Sequence, residues 1–525
     1  MRRAPINNWP VAAFVSLMTL FSGAAEAQLQ QNVLRIRLNA DIRSTDPGVN
    51  RDANTDAVES HLLEGLVAFK EDTSVGPLLA QSVSTSPDGK VYTFKLRPGL
   101  LFSNGAPLTS ADVLFAWNRY MKPDTNWRCL SEFDGHGQST VLKAEAKDAA
   151  TVVFTLAKPS PLFLTTLARA DCGGTGIYHR SSLDADGKWK APVGTGPFTL
   201  GEWKRGQYVE LLPNPRYASL PGKRDGNTGA KSVSVAKVRF VVIPDPSAAK
   251  AAILSDGVDL ISDIDEEDLA EYRSHKDIVV TSSPSMDQSG FLLQTRDPLL
   301  KDVRIRRALA LSLDVPQLVE TVTNGGSPAS RSAIPKSSPF YGTAQADIPR
   351  RDLAAARKLL AEAGYRGTPI KMLTTKRYAN LFTAAVLAQA MAQEAGIKID
   401  VEVLDWATLL DRYSRGNFQM MSFTYSARLD PSLSYTMFTG SKDAQARSLW
   451  EDKEAVDLVA KSMETSDKAQ RQAIFDKLDV KLRNEVPAIW LYSKVNFSAT
   501  KADVKGYAGW PLGQPRAWGV SMHAP

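Results

Sequence analysis

The chain has 525 residues, 43% hydrophobic and 23% charged, enough for sizeable cores and roughly two to four domains. Its 63 Lys and Arg against 57 Asp and Glu leave a net charge of +6, small for this length. With no long basic block and no aromatic-basic stripe, a nucleic-acid role is poorly supported.

The N-terminus carries a processing signal. Arg2 and Arg3 precede an apolar run from Val11 to Phe21, and small residues follow, ending Ala25-Glu26-Ala27. This is the layout of a secretory signal peptide, so residues 1–27 are expected to be removed and the mature chain to begin at Gln28. The apolar run is too short to span ~30 Å of hydrocarbon, and no Cys follows the cleavage site to take a lipid. A soluble exported protein is expected. The two cysteines, Cys129 and Cys172, are then in an oxidising compartment, where a disulfide between them and two separate buried thiols are both open. The five histidines are scattered and no C-x-x-C occurs, so no metal site and no cofactor are expected.

In chain order, residues 33–38 alternate as a strand and run into the turn Ser44-Thr45-Asp46-Pro47. A helix is predicted from about Asp56 to Glu64, ending at Gly65. Tyr92, Phe94 and Leu96 alternate with Thr93, Lys95 and Arg97, a half-buried strand between the turns Pro87-Asp88-Gly89 and Pro98-Gly99. Asn104-Gly105 turns the chain again, and Thr109 with Asp112 stands at capping spacing before a helix over 110–120. Pro192-Val193-Gly194-Thr195-Gly196-Pro197-Phe198 opens a strand continuing through Trp203; the glycines are expected to serve backbone turns. A strand over 235–243, a helix over 247–254 and a short strand over 258–261 follow.

From Phe291 the texture becomes helix-rich α/β. Asp302 caps a helix through Leu313, Asp314 and Pro316 start another, and Asp352 begins a strong helix former ended by Gly364. A longer helix over 380–395, a strand over 397–404, a helix near 409–413 and a strand near 419–423 come next. Two acidic-basic helices cover about 453–463 and 469–484, Pro487 breaks the last, and 488–492 reads as a strand.

The run from Leu62 to Trp117 resembles the opening of the family-5 extracellular solute-binding proteins of ABC importers. The stretch Pro192–Phe198 with Asn214 to Tyr217, the helix DVRIRRALALSLD over 302–314 and AARKLLAEAGY over 355–365 resemble later segments of the same family, in the same order. The resemblance implies an α/β, two-lobed periplasmic-binding-protein fold with a hinge. One lobe would be residues 28–60, 190–284 and 494–525, with a subdomain of residues 61–189 inserted in it, and the second lobe residues 285–493. It further implies a periplasmic monomer, not an enzyme, that traps a short peptide or peptide-like solute by lobe closure and docks on a membrane permease. An opine-like conjugate, a metal chelate, an oligosaccharide, or a chaperone or sensor role without transport are the alternatives.

The resemblance also implies where solute is touched. In peptide-binding relatives an aromatic residue is followed three positions later by an Asp that takes the peptide ammonium. Here those places fall on Tyr425 and Arg428, a charge reversal that favours an anion. Asp430 either recovers the ammonium role or caps the following turn, and Arg428 either meets solute or pairs with Asp430. Trp406 corresponds to a pocket wall, or is a plain core tryptophan. Arg51 and Asp52 follow a turn that reaches the cleft from the first lobe. Trp127 and Arg128 fall in a subdomain loop near it, where the indole would stack and the guanidinium pair with an acid, unless the loop is an exposed rim.

Enzyme motifs are sparse. G-x-S-x-G, H-E-x-x-H and the phosphate-loop pattern are absent, and Ser498-Ala-Thr-Lys501 fits S-x-x-K without a K-T-G companion. The carboxylates of Asp263-Ile-Asp265-Glu266-Glu267 read as a solvated face.

Overall fold

The structure is a computed structural model that describes residues 32–49, 53–426 and 428–522. The expected signal peptide, Arg51 and Asp52 lie outside the described residues. Strand β1 (Val33–Leu38) buries Leu34, Ile36 and Leu38 as the alternation requires, and helix α1 spans Ala53–Leu62. The subdomain holds a four-stranded antiparallel sheet of β2 (Ala80–Thr85), β3 (Val91–Leu96), β4 (Val141–Asp148) and β5 (Thr151–Leu156), in the order β2-β3-β5-β4. Tyr92, Phe94 and Leu96 of β3 point into its core. Helix α2 (Ser110–Tyr120) starts where the sequence predicts, with the Asp112 carboxylate accepting from the Thr109 N–H at 2.9 Å and hydroxyl at 2.8 Å.

One ten-stranded mixed sheet runs through both lobes. Its remaining strands are β6 (Phe198–Lys204), β7 (Tyr208–Pro213), β8 (Lys237–Val242), β9 (Leu260–Ile264), β10 (Ile278–Leu293), β11 (Ile370–Thr374), β12 (Ile399–Val403), β13 (Met420–Tyr425) and β14 (Ala488–Lys501). The order is β12-β11-β13-β10-β14-β9-β1-β8-β7-β6, with β1 parallel to both β8 and β9, and β11 parallel to both β12 and β13. The long antiparallel pair β10–β14 sits at the centre and slips register between Pro284 and Gln288, opposite Val495 and Ser493. The sequence reading ended the last strand at Tyr492 and placed none over 278–293. The segment Thr281-Ser-Ser-Pro-Ser-Met-Asp-Gln288 has no apolar alternation, because it is held by its neighbours in the sheet and not by one buried face.

Helices α3 (Pro246–Leu254), α4 (Val303–Ser312), α5 (Val315–Val322), α6 (Leu353–Glu362), α7 (Ala379–Glu394), α8 (Trp406–Ser414), α9 (Pro431–Thr436), α10 (Lys453–Ser462) and α11 (Lys468–Glu485) cover the sheet. Asp302, Asp314 and Asp352 accept backbone N–H bonds at the starts of α4, α5 and α6, as their capping positions predict. In the second lobe, successive residues of one strand feed opposite cores. Phe291, Met420 and Ile489 face α4, α5 and α7, whereas Leu292, Met421 and Trp490 face α8, α9 and α11. In the first lobe a single core joins Leu34, Ile36 and Phe240 of the large sheet to Phe94, Trp117 and Phe154 of the subdomain.

A polar knot locks α1 into that lobe. His61 is fully buried, its Nδ1–H donating to the Ala57 carbonyl (2.7 Å) and its Nε2 accepting from the Ala517 N–H (3.0 Å). Glu64 and Lys231 form a buried pair at 2.8 Å. Gly194 and Gly196 approach this helix end so closely that a Cβ would lie 2.2 Å from the Leu62 carbonyl oxygen or 2.4 Å from that of His61. Neither has a positive φ; Gly196 lies in a bend, and both glycines allow close packing against α1.

Candidate functional site

A cavity of about 770 Å3 opens between the end of β9 and the start of α7. One side of its lining is β9 and the turn after it, with Asp263, Asp265, Glu266 and Glu267; another is the segment leading into α7, with Lys376, Arg377 and Tyr378. The crossing strand contributes Lys494 and Asn496. A second cavity of about 250 Å3 shares Ser262, Asp263, Asn496 and Gly513, extending the space past Asn39 and Asn54 to Ser285 beside the β10 register break. The carboxylate run read as a solvated face therefore borders the interlobe space. Asp263, Asp265 and Glu267 are exposed, as that reading expects, and Glu266 is half-buried.

The two walls differ in charge. Asp263 is engaged by Arg37 at 2.9 Å. Glu266 is half-buried; burial pushes its carboxyl up to about 6 despite Lys494 nearby, and its Oε1 has no hydrogen-bond partner among the described residues. Opposite it, Lys376 and Arg377 are exposed, and Asn380 is fixed by donating to the Tyr492 hydroxyl at 2.8 Å. A compartment about the size of a small-molecule site, acidic on one side and basic on the other, suits a solute carrying both charges.

The described residues chosen from the sequence do not line this cavity. Trp406 is half-buried at the start of α8, stacked on Phe423 with ring centroids 6.1 Å apart and met edge-on by Tyr378 at 5.0 Å. Through Tyr378 it backs the basic wall without lining the cavity. Tyr425 ends β13 inside the second-lobe core, against Trp490 and Phe438. Arg428 is half-buried at the lobe edge, with Nη1 3.1 Å from the Ser426 hydroxyl and Nη2 3.6 Å from the Met437 sulfur.

Asp430 does not take the ammonium role. It accepts from the Ser432 N–H (2.9 Å) as the N-cap of α9 and pairs with Arg471 at 2.7 Å, both side chains 7% exposed. Its capping role stands, and Arg471, not Arg428, is its cation, because α11 brings Arg471 beneath the cap. Trp127 is corrected too. It is 3% exposed, stacked on Phe133 at 5.5 Å, and donates from Nε1 to the Cys172 carbonyl oxygen at 3.0 Å, so it is neither a stacking platform for solute nor a rim residue. Arg128 does pair with an acid, Asp171 of its own lobe, at 3.4 Å.

Cys129 and Cys172 form a disulfide with Cα atoms 5.5 Å apart. The bridge fixes the loop bearing Asp171, which also accepts from Arg169 at 2.8 Å. Burial pushes the Asp171 carboxyl up, but Arg169, Arg128 and Arg428 more than offset this and hold it below the usual carboxylate range. Arg428 thus acts on an acid far from it in sequence, and Leu429 packs against the core that holds Cys129 and Cys172. Ser498 and Lys501 share no site: Ser498 donates to the Ser262 carbonyl oxygen, while Lys501 pairs with Asp256.

Residues 74–446 match the sequence model of bacterial extracellular solute-binding proteins, family 5, middle region. The chain belongs to this family. An Escherichia coli (strain K12) protein named as a probable D,D-dipeptide-binding periplasmic protein is 26% identical over 529 residues, covering 98% of each chain. Among solved structures, HbpA2 from Haemophilus parasuis superposes with a TM-score of 0.80 at 23% identity, covering 94% of this chain and 100% of that one. The periplasmic binding protein DppA from Helicobacter pylori, solved with the peptide STSA, gives 0.70 at 25% identity, covering 95% and 100%. The solute-binding protein is therefore of the two-lobed α/β type, and its relatives are substrate-binding transport proteins. No helix among the described residues is long and apolar enough to cross a membrane.

Lys376-Arg377-Tyr378 went unnoticed in the sequence, although two cations and an aromatic just before the predicted helix over 380–395 were the available signal. Tyr413, whose ring lies 6.0 Å from that of Tyr425, carried no such signal.

Proposed function

We propose that this solute-binding protein is exported through its N-terminal leader, captures a short peptide or peptide-like solute between its lobes, and hands it as a monomer to the permease of an ABC importer. The observation that carries the reading is the cavity of about 770 Å3, whose lining carries both the acids Asp265, Glu266 and Glu267 and the cations Lys376, Arg377 and Lys494. A peptide presents an ammonium and a carboxylate at its two ends, and opposite walls of opposite charge fit both. Closing the lobes desolvates those groups, so only a solute that satisfies them is held tightly. The lobes divide at residues 284/285 and 493/494, with residues 61–189 as an insertion; the register break of β10–β14 at these positions supports a hinge there.

The test is a thermal-shift screen of the mature protein against di- to pentapeptides, opine-type conjugates, metal chelates and sugars. Stabilisation by peptides supports the reading, and stabilisation only by sugars or chelates rejects it. Opine-like conjugates are the second reading, favoured by the guanidinium at Arg428. Mature protein in the periplasmic fraction, beginning at Gln28, tests the export step.

A further inference from the structure

The smaller cavity, about 250 Å3, differs from its neighbour in having no unengaged charge in its lining. Its three ionised side chains are occupied: Arg37 donates from Nη1 to both oxygens of Asp263 at 2.9 Å, and Asp287 has an interaction of its own. Asn54 donates to the Asn39 carboxamide oxygen at 2.8 Å. Two further carboxamides in the lining, those of Asn496 and Gln514, are not used in this way. Neither makes a side-chain hydrogen bond among the described residues, and the Gln514 Oε1 is enclosed without a partner. Gly513, next to Gln514 in the chain, brings them into one patch: a Cβ on it would stand 3.4 Å from the Asn496 Nδ2.

A carboxamide offers donor hydrogens and an acceptor oxygen together, and its complement carries both as well: another carboxamide, or a hydroxyl. An ammonium only donates and a carboxylate only accepts. Either would satisfy half of the patch and lose its hydration without gaining an unengaged countercharge. An apolar group would leave both carboxamides unsatisfied. At about 30 Å3 per water, the space holds a side group of several non-hydrogen atoms, more than a bridging water. Ser262, Asp263, Asn496 and Gly513 line both cavities, so a solute with charged ends in the larger one can extend a side group into the smaller.

We infer that the smaller cavity is a side-group subsite that selects a neutral hydrogen-bonding group of the solute, a carboxamide or hydroxyl, through the carboxamides of Asn496 and Gln514. The inference rests on the capture reading above and adds which solutes are preferred. Charge decides entry to the larger cavity, and matched donors and acceptors decide entry to the smaller.

The test is calorimetric titration of the mature protein with alanyl-glutamine, its Glu, Met and Lys counterparts, the same four in reversed order, and N-fructosyl-alanine, which presents hydroxyls instead of a carboxamide. In at least one order, the Gln dipeptide should bind about tenfold or more tighter than its three counterparts. Asn496→Leu and Gln514→Leu should each bring the Gln and Met dipeptides within about threefold of each other, with melting temperatures held to show folding. The isosteric Asn496→Asp and Gln514→Glu, which keep the side-chain volume, should move the preference to the Lys counterpart. Equal or tighter binding of a Glu, Met or Lys counterpart in both orders, or a full Gln preference in all four variants, would overturn the inference. If peptides bind without regard to side group, only this inference fails. If no peptide binds while N-fructosyl-alanine does and needs Asn496 and Gln514, the peptide reading alone fails. Binding of nothing in the panel, or of N-fructosyl-alanine alone without need of these residues, rejects both.

Discussion

Replacing Asp430 by Asn separates a structural carboxylate from a solute-binding one. In the structure the carboxylate lies 2.7 Å from Arg471, and Arg471 also donates to the Ser432 hydroxyl and Ser462 carbonyl oxygen at 3.0 Å each. Its guanidinium is further enclosed by the rings of Phe340 and Phe475 at 4.9 and 5.3 Å. Asn keeps an acceptor for the Ser432 N–H, so the cap of α9 is retained. What is lost is the countercharge of a buried cation, a loss of about 3–5 kcal/mol. For a folding unit the size of the second lobe this is roughly 6–20 °C in melting temperature. The assay is scanning calorimetry beside titration with whichever solute stabilises the wild type. The expected result is a large thermal loss with affinity at 25 °C nearly unchanged, since Asp430 does not line the interlobe cavities. Substituting Met for Arg471 in the same chain should recover much of the loss, because the stranded charge is then gone. A melting temperature at the wild-type value together with abolished binding would refute the reasoning and return Asp430 to the solute.

Removing the Cys129–Cys172 bridge by Ser substitution at both positions opens a loop with a sequence separation of 43, costing about 4 kcal/mol in the chain-entropy model; denaturant titration with and without reductant measures it, and an insensitive wild type would contradict it. The two lobes should respond oppositely to acid. Burial lowers His61 to about 3 from 6.5, so the unfolded first lobe binds the extra proton and stability drains away as pH falls from about 6.5 towards 3, by up to about 5 kcal/mol. Burial raises Asp479 from 3.8 to about 6 although Arg483 pairs with it, so the folded second lobe binds the extra proton and stability falls as pH rises from about 4 to 6, on the order of 3 kcal/mol. Calorimetry across pH 4–7 should move the two transitions in opposite senses, and Asp479→Asn should flatten one of them. Gly194→Ala should destabilise the first lobe by about 1–3 kcal/mol through its clash with the Leu62 carbonyl, and an unchanged unfolding midpoint would count against it.

Local signals carried much of the fold. Alternation over Tyr92, Phe94 and Leu96, and caps at Thr109, Asp302, Asp314 and Asp352, concern neighbours within a few residues, and the chain itself specifies them. The central strand β10 was illegible because its sheet partners lie about 140 and 200 positions away, outside any local pattern. Family resemblance led to Tyr425 and Arg428 but could not say which acid serves which arginine. Only packing gives Asp430 to Arg471 and Asp171 to Arg128 and Arg169.

The sequence by itself determined the kind of machine: its exported character as an expectation, its order of elements, and the reversal of charge at Arg428. Tertiary structure decided which charged groups border a cavity. Whether a carboxylate is spent on a neighbour or left facing an interlobe space depends on side chains far apart in sequence. Asp430, at a strand end, and Glu266, in an acidic run, look equally available in the chain; burial against Arg471 silences the first, while the turn after β9 leaves the second at the cavity wall.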